Sequence, residues 1–173
     1  MTMFAVAVLF VCMVVGSTPV KADQYKLVWS DEFNGTELDT TKWNYNYGNG
    51  DGVPGWGNNE LQQYTDSKDN VRVENGNLVI TARTERDENG TFKRFTSGRL
   101  NTSGKASFKY GRMEAKIKVP SVTGLWPAFW MLGQNEPKGW PYCGELDILE
   151  TWNTFNFAQG TVHWENEKDK PGR

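Results

Sequence analysis

The sequence predicts an all-β protein built as an antiparallel sandwich, and three observations carry that reading. Short segments of alternating apolar and polar residues recur along the chain, separated by turns rich in glycine and asparagine. Sustained helical periodicity is absent, apart from one turn expected at Leu38 to Trp43 with Asp39 at its start. No repeat, low-complexity tract or linker divides residues 23–173, so they read as one domain.

In order, strands are expected at Tyr25 to Ser30, Val71 to Glu74, Asn77 to Arg83, Lys105 to Tyr110, Arg112 to Val119, Phe129 to Leu132, Leu146 to Glu150 and Phe157 to Trp164. Asn75-Gly76 joins the second to the third as a two-residue hairpin, because both positions tolerate positive φ. In Arg112 to Val119, Met113, Ala115, Ile117 and Val119 share one face while Arg112, Glu114, Lys116 and Lys118 share the other. That is the pattern of a half-buried antiparallel strand.

Met3 to Gly16 is almost wholly apolar and is followed by Val20-Lys21-Ala22. Residues 1–22 therefore read as a secretory signal peptide, although a basic start is missing, and the apolar core is short for a stable membrane span. Cleavage would leave a secreted, extracellular chain with no stable span. Losing Lys21 makes the formal charge of −2 one unit more negative, and a mildly acidic chain does not have the electrostatics of a nucleic-acid binder. Cys12 lies in the leader, which leaves Cys143 without a partner. Asn34-Gly35-Thr36, Asn89-Gly90-Thr91 and Asn101-Thr102-Ser103 have the glycosylation pattern of secreted proteins. Eight tryptophans suit a large core, and equally suit flat surfaces on which sugar rings stack.

The most informative stretch is Gly144-Glu145-Leu146-Asp147-Ile148-Leu149-Glu150. In a strand, Glu145 and Asp147 point one way and Leu146 and Ile148 the other, while Glu150 breaks parity. One extra residue bulging out between Asp147 and Glu150 would return Glu150 to the acidic face. Two glutamates would then flank an aspartate in one row. Such a row suits glycosidic cleavage with retention, which needs a nucleophile and a proton donor roughly 5–5.5 Å apart. The central aspartate would raise its neighbours' pKa values and hold the nucleophile by a hydrogen bond. On spacing alone, the row is equally a solvated acidic strand or a set of carboxylates for calcium.

Beside this row stand Trp126-Pro127-Ala128-Phe129-Trp130-Met131-Leu132 and Gly139-Trp140-Pro141-Tyr142-Cys143. With them the chain resembles glycoside hydrolase family 16, and most of all its laminarinase branch of endo-β-1,3-glucanases. The agreement also takes in Leu27 to Gly35, Gly57-Asn58-Asn59-Glu60-Leu61-Gln62, Ser97-Gly98-Arg99-Leu100 and Gly160-Thr161-Val162-His163-Trp164, in the family's order. The resemblance implies a concanavalin-like jelly roll and a β-glucan substrate, with a monomer at full length. It makes Glu145 the nucleophile, Asp147 its helper and Glu150 the general acid and then base. The extra residue before Glu150 separates the chain from lichenases and xyloglucan transglycosylases; agarases and carrageenases share it, so the flanking segments select the laminarinase branch.

Glu60 and Arg99 match positions that line the sugar cleft; a structural salt bridge between them is the alternative. Trp126 and Trp130 match cleft tryptophans that stack on the pyranose, and if extended they point the same way, so one of them is equally a core residue. Trp140 and Trp152 are read as rim contacts or core, and His163 resembles a position near the acid/base, although a lone strand histidine is more often packed. As the only histidine it leaves little for a Ser-His-Asp triad or a zinc site.

Related enzymes often hold a structural calcium, with Glu32 and the backbone at Gly76 among the matching positions. An aspartate near the C-terminus usually completes it; no such segment follows here, so the calcium site is short of a ligand. The chemistry requires no cofactor. The chain stops at Arg173, where a single sandwich domain is expected to run to roughly 200–250 residues, so the sandwich is expected to be incomplete at its C-terminus, and the polypeptide alone poorly soluble or inactive. The rival reading is a glucan-recognition protein on the same scaffold, which binds without cutting. Such proteins lack one or both glutamates, and here both are present.

Overall fold

A computed structural model describes residues 25–134, 137–153 and 157–165, and the expected leader, with Cys12, lies outside them. In chain order the strands are β1 (Asn44–Tyr45), β2 (Gln62–Tyr64), β3 (Val71–Glu74), β4 (Asn77–Ile80), β5 (Arg83–Arg86), β6 (Phe92–Ser97), β7 (Leu100–Asn101), β8 (Ala128–Leu132), β9 (Glu145–Glu150) and β10 (Gln159–His163). The only described helical piece is a short 3₁₀ turn at Pro54–Gly57. The all-β expectation holds. No described helix is long and apolar enough to cross a membrane.

The strands form four small sheets, β1–β7, β2–β6–β5, β3–β4 and β8–β9–β10. Pairing is antiparallel, as expected, except between β2 and β6, which run parallel. Asn75 and Gly76 adopt φ of 52° and 73° and close a two-residue hairpin in which Glu74 faces Asn77. The expected helical turn is a single turn. Lys42 and Trp43 donate their backbone N–H to the Asp39 carbonyl, and the Asp39 carboxylate caps the Thr41 N–H at 2.9 Å.

The expected strand Asn77 to Arg83 is two strands. At Thr81 the chain leaves β3: the Thr81 N–H donates to the Asn70 carbonyl at 2.8 Å, and the Asn70 side chain donates to the Thr81 carbonyl at 2.9 Å. From Arg83 the backbone pairs with β6 instead. Tyr25 to Ser30, Lys105 to Tyr110 and Arg112 to Val119 form no ladder among the described residues, contrary to expectation. Alternation only fits a segment to a pleated, half-buried surface, and a strand also needs an edge to pair with. Leu27, Val28, Tyr110 and Ile117 stay exposed, while Trp29 packs edge-on to Trp43 with ring centres 5.5 Å apart.

The apolar side chains buried most deeply are Leu38, Val71 and Val73. Beside them Asn70 is 1% exposed and fully used: it donates to the Thr81 carbonyl and to Thr96 Oγ1, and accepts from Thr65 Oγ1 at 2.6 Å. It therefore ties the β3–β4 hairpin to β6. Gly133 lies so close to the Cys143 carbonyl that an added Cβ would sit 1.7 Å from it, and its N–H donates to the Gly144 carbonyl, which clamps the end of β8 to the start of β9. Cys143 is half-buried and is a free cysteine among the described residues.

Replacing Asn70 with alanine removes one partner from three hydrogen bonds, one buried and two part-buried. We predict a loss of about 2–3 kcal/mol in denaturant unfolding at neutral pH. A variant within about 0.5 kcal/mol of the parent would show that the junction does not depend on this side chain.

Candidate active site

Strand β9 is central, with β8 on one side and β10 on the other. Across it Leu132, Glu145 and His163 share a rung, as do Met131, Leu146 and Val162, and Trp130, Asp147 and Thr161. Beyond Asp147 the register slips by one residue against both neighbours: Leu149 faces Phe129, Glu150 faces Ala128 and Gln159, and Ile148 faces nothing. Ile148 is the expected bulge. It returns Glu150 to the face that carries Glu145 and Asp147, while Leu146 and Val162 lie half-exposed on the reverse face.

Asp147 is the buried member of the row at 3% exposure. His163 donates from Nε2 to Asp147 Oδ2 at 3.1 Å and lies 3.8 Å from Glu145 Oε1. The Trp126 indole N–H donates to Glu150 Oε1 at 2.8 Å. Trp140 stands beside the histidine, with ring centres 5.9 Å apart. Trp152 sits edge-on to Trp126 at 6.2 Å.

Both glutamates are held above the ordinary carboxylate range. For Glu145 burial is the largest cause, followed by the charge of Asp147 and a hydrogen bond with it that favours the protonated form, and His163 opposes them. For Glu150 burial again leads and Asp147 adds to it, against the Trp126 hydrogen bond, which favours the ionised form. Glu145, Asp147 and His163 are also the one group of three or more His, Cys, Asp or Glu residues among the described residues whose ligand atoms fall within 4.8 Å of one another. The His163–Asp147 hydrogen bond draws two of the three together.

The remaining expected residues form a second cluster. Glu60 accepts from the Tyr64 hydroxyl at 2.7 Å and from Gln62 Nε2 at 2.6 Å. Arg99 lies over Trp56 at 4.2 Å, over Trp130 at 5.0 Å and over Tyr64 at 6.0 Å. Among the described residues no ion pair joins Glu60 to Arg99, so the salt-bridge alternative is not what these groups do. The sequence reading missed Trp56, Gln62 and Tyr64. Glu60, Gln62 and Tyr64 share parity along an extended segment, and that was the available signal. Trp56 takes a positive φ of 52°, which propensity does not foretell. Burial raises the Tyr64 hydroxyl far above its usual range, and its hydrogen bond to Glu60 adds to that. Two buried ring nitrogens, Trp56 Nε1 and His163 Nδ1, have no hydrogen-bond partner among the described residues, one in each cluster.

The raised carboxyls predict a stability effect. The unfolded glutamates ionise near 4.3, whereas the folded surroundings of Glu145 and Glu150 resist their ionisation, and above that pH this works against folding. The penalty fades as pH falls through the folded values toward about 4.3. Glu145→Gln and Glu150→Gln should each melt a few degrees above the parent at pH 7, by about 1–3 °C, with the gap closing near pH 4 in calorimetric scans. A gap that widens on acidification would contradict the sign.

The family profile described as "Beta-porphyranase A-D, GH16 domain" matches residues 25–170. The chain is 45% identical to the beta-glucanase of Rhodothermus marinus over 94% of its own length and 57% of that protein. It is 43% identical to glucan endo-1,3-beta-glucosidase A1 of Niallia circulans, over 80% of the chain and 22% of the relative. The laminarinase catalytic domain of Thermotoga maritima superposes with a TM-score of 0.72 at 48% identity, covering 81% of the chain and 57% of that domain. The chain thus spans from about a fifth to just over half of these relatives. A match across nearly the whole described chain, on a fold with the bulged acidic strand at its centre, places it in one family: the chain belongs to glycoside hydrolase family 16.

Proposed function

We propose that this chain carries the catalytic strand of a retaining glycosidase that cleaves β-1,3-glucosidic bonds in laminarin-like glucans. The observation that carries the proposal is the Ile148 bulge, which sets Glu145, Asp147 and Glu150 on one face of β9. Glu145 attacks the anomeric carbon while Glu150 protonates the departing glycosidic oxygen. Glu150 then takes a proton from water, which displaces Glu145 and releases the sugar with its anomeric configuration kept. Asp147 orients Glu145, and His163 steadies Asp147. The elevated Glu150 carboxyl suits an acid that must hold its proton near neutral pH.

Trp126, Trp130, Trp140, Glu60, Arg99 and His163 line the proposed sugar path. The β-1,3-glucan assignment rests on the relatives named for that activity, among them the Niallia circulans enzyme. The family profile is named for porphyranases, so porphyran is the counter-substrate to assay. The chemistry runs on carboxylates and water without an added cofactor. Secretion is supported by the apolar run Met3 to Gly16, and a monomer at full length follows the resemblance.

A full-length version of the protein should release reducing ends from laminarin and not from porphyran, with β-configured product first seen by NMR. Glu145→Gln should lose about 10⁴-fold or more in kcat while still binding laminarin. Binding without any release by the parent protein would leave a glucan-recognition role in place of the enzyme.

A further inference from the structure

Resting on that reading, the geometry points to Trp126 as a positioning residue: its indole N–H, and not only its ring face, fixes the Glu150 carboxyl so that the transferable proton is carried by Oε2. From sequence, Trp126 is expected either to stack on a sugar or to pack in the core. The indole nitrogen donates to Glu150 Oε1 at 2.8 Å, and an indole N–H is a donor that cannot accept. With Oε1 engaged by such a group, the acid form keeps its proton on the other oxygen.

The tryptophan is held for this task. Gly124 N–H donates to Asn153 Oδ1 at 2.9 Å, Asn153 N–H to the Leu125 carbonyl at 3.2 Å, and Thr151 N–H to the Pro127 carbonyl at 3.3 Å. These bonds zip the segment before β8 to the residues that directly follow Glu150. Trp126 stands edge-on to Trp152, which stands edge-on to Phe157 at 4.9 Å. The Trp126 side chain remains 49% exposed, so its edge can hold the acid while its face stays open to a sugar. The titratable groups facing Glu150 are Asp147 and Glu145 on its own strand and His163 on β10; β8 contributes none, since Ala128 and Trp130 occupy its near positions.

Trp126→Phe separates the two tasks, because it keeps an aromatic face and deletes the donor. On laminarin, kcat should fall about tenfold with KM within about twofold, and the alkaline limb of the rate profile should move up by about half a pH unit, since the lost bond favours the ionised acid. The titration of ¹³C-labelled Glu150 should move the same way whether or not the protein turns over. In the parent protein, the Trp126 Nε1–H resonance should follow the Glu150 titration and lose that pH dependence in Glu150→Gln. This second measurement holds even if Trp126→Phe does not fold. An unchanged Glu150 midpoint in folded Trp126→Phe, a pH-invariant indole resonance in the parent, or a rise in KM with kcat intact would overturn the positioning role. Absence of hydrolysis with the expected titrations would overturn the glycosidase reading and leave the Trp126 contact standing.

Discussion

Because β9 is paired on both edges, its extra residue must be absorbed by two ladders at once, and the site depends on that constraint. An edge strand can loosen around an inserted residue; a central strand can accept one only if both neighbours shift register at the same place. β8 and β10 do so, opposite Ile148. The result is a fixed phase change in a strand whose side chains otherwise alternate. Were all six residues of β9 paired in regular alternation, Glu150 would join Leu146 on the reverse face, leaving Glu145 and Asp147 without it. The chemistry of the row is thus set by a backbone count before any side-chain interaction is considered.

Gathering three carboxylates on one face has an electrostatic consequence, which the surrounding residues meet unevenly. Asp147 is the most deeply buried of the three and receives a direct hydrogen bond from His163. Glu150 receives one from Trp126. Glu145 has the distant help of His163 and a hydrogen bond with Asp147 that favours its protonated form. The row therefore weakens the fold where it stands. The stabilising polar contacts lie elsewhere, in the Asn70 junction between the hairpin and β6. This separation lets the active strand stay strained in charge while the hairpin region carries the register.

How much of this was legible in the sequence follows from the range of the interactions. Parity along seven residues is local information, and it located the bulge between Asp147 and Glu150. The Asn75-Gly76 hairpin and the Asp39 turn are local as well, and both hold. What failed was long-range. The pairing of β1 with β7 joins residues more than fifty positions apart, and the parallel pairing of β2 with β6 has no signature in either segment. Tyr25 to Ser30 and Arg112 to Val119 show that alternation states a capacity to pair without naming a partner. Glu60 and Arg99 share a neighbourhood as expected, yet the arginine spends its charge on aromatic faces and the glutamate on a tyrosine and a glutamine. Charge sign alone suggested a bond that neighbouring rings pre-empt.

The two clusters are joined by a single rung. Trp130 stands opposite Asp147 on the acidic face, and Arg99 lies over Trp130. Arg99 reaches in turn to Trp56, in the turn at Pro54–Gly57, and to Tyr64 beside Glu60. The rung lies just before the register slip, so the cluster of Arg99 and Glu60 is indexed to the last regular pair of the ladder and Glu150 to the pairs beyond the slip. A slip of β8 by one residue would carry Trp130 to the reverse face and draw it away from Arg99, even with every carboxylate still in place on β9. One ladder therefore sets both the spacing within the acidic row and the distance from that row to the cluster of Arg99 and Glu60.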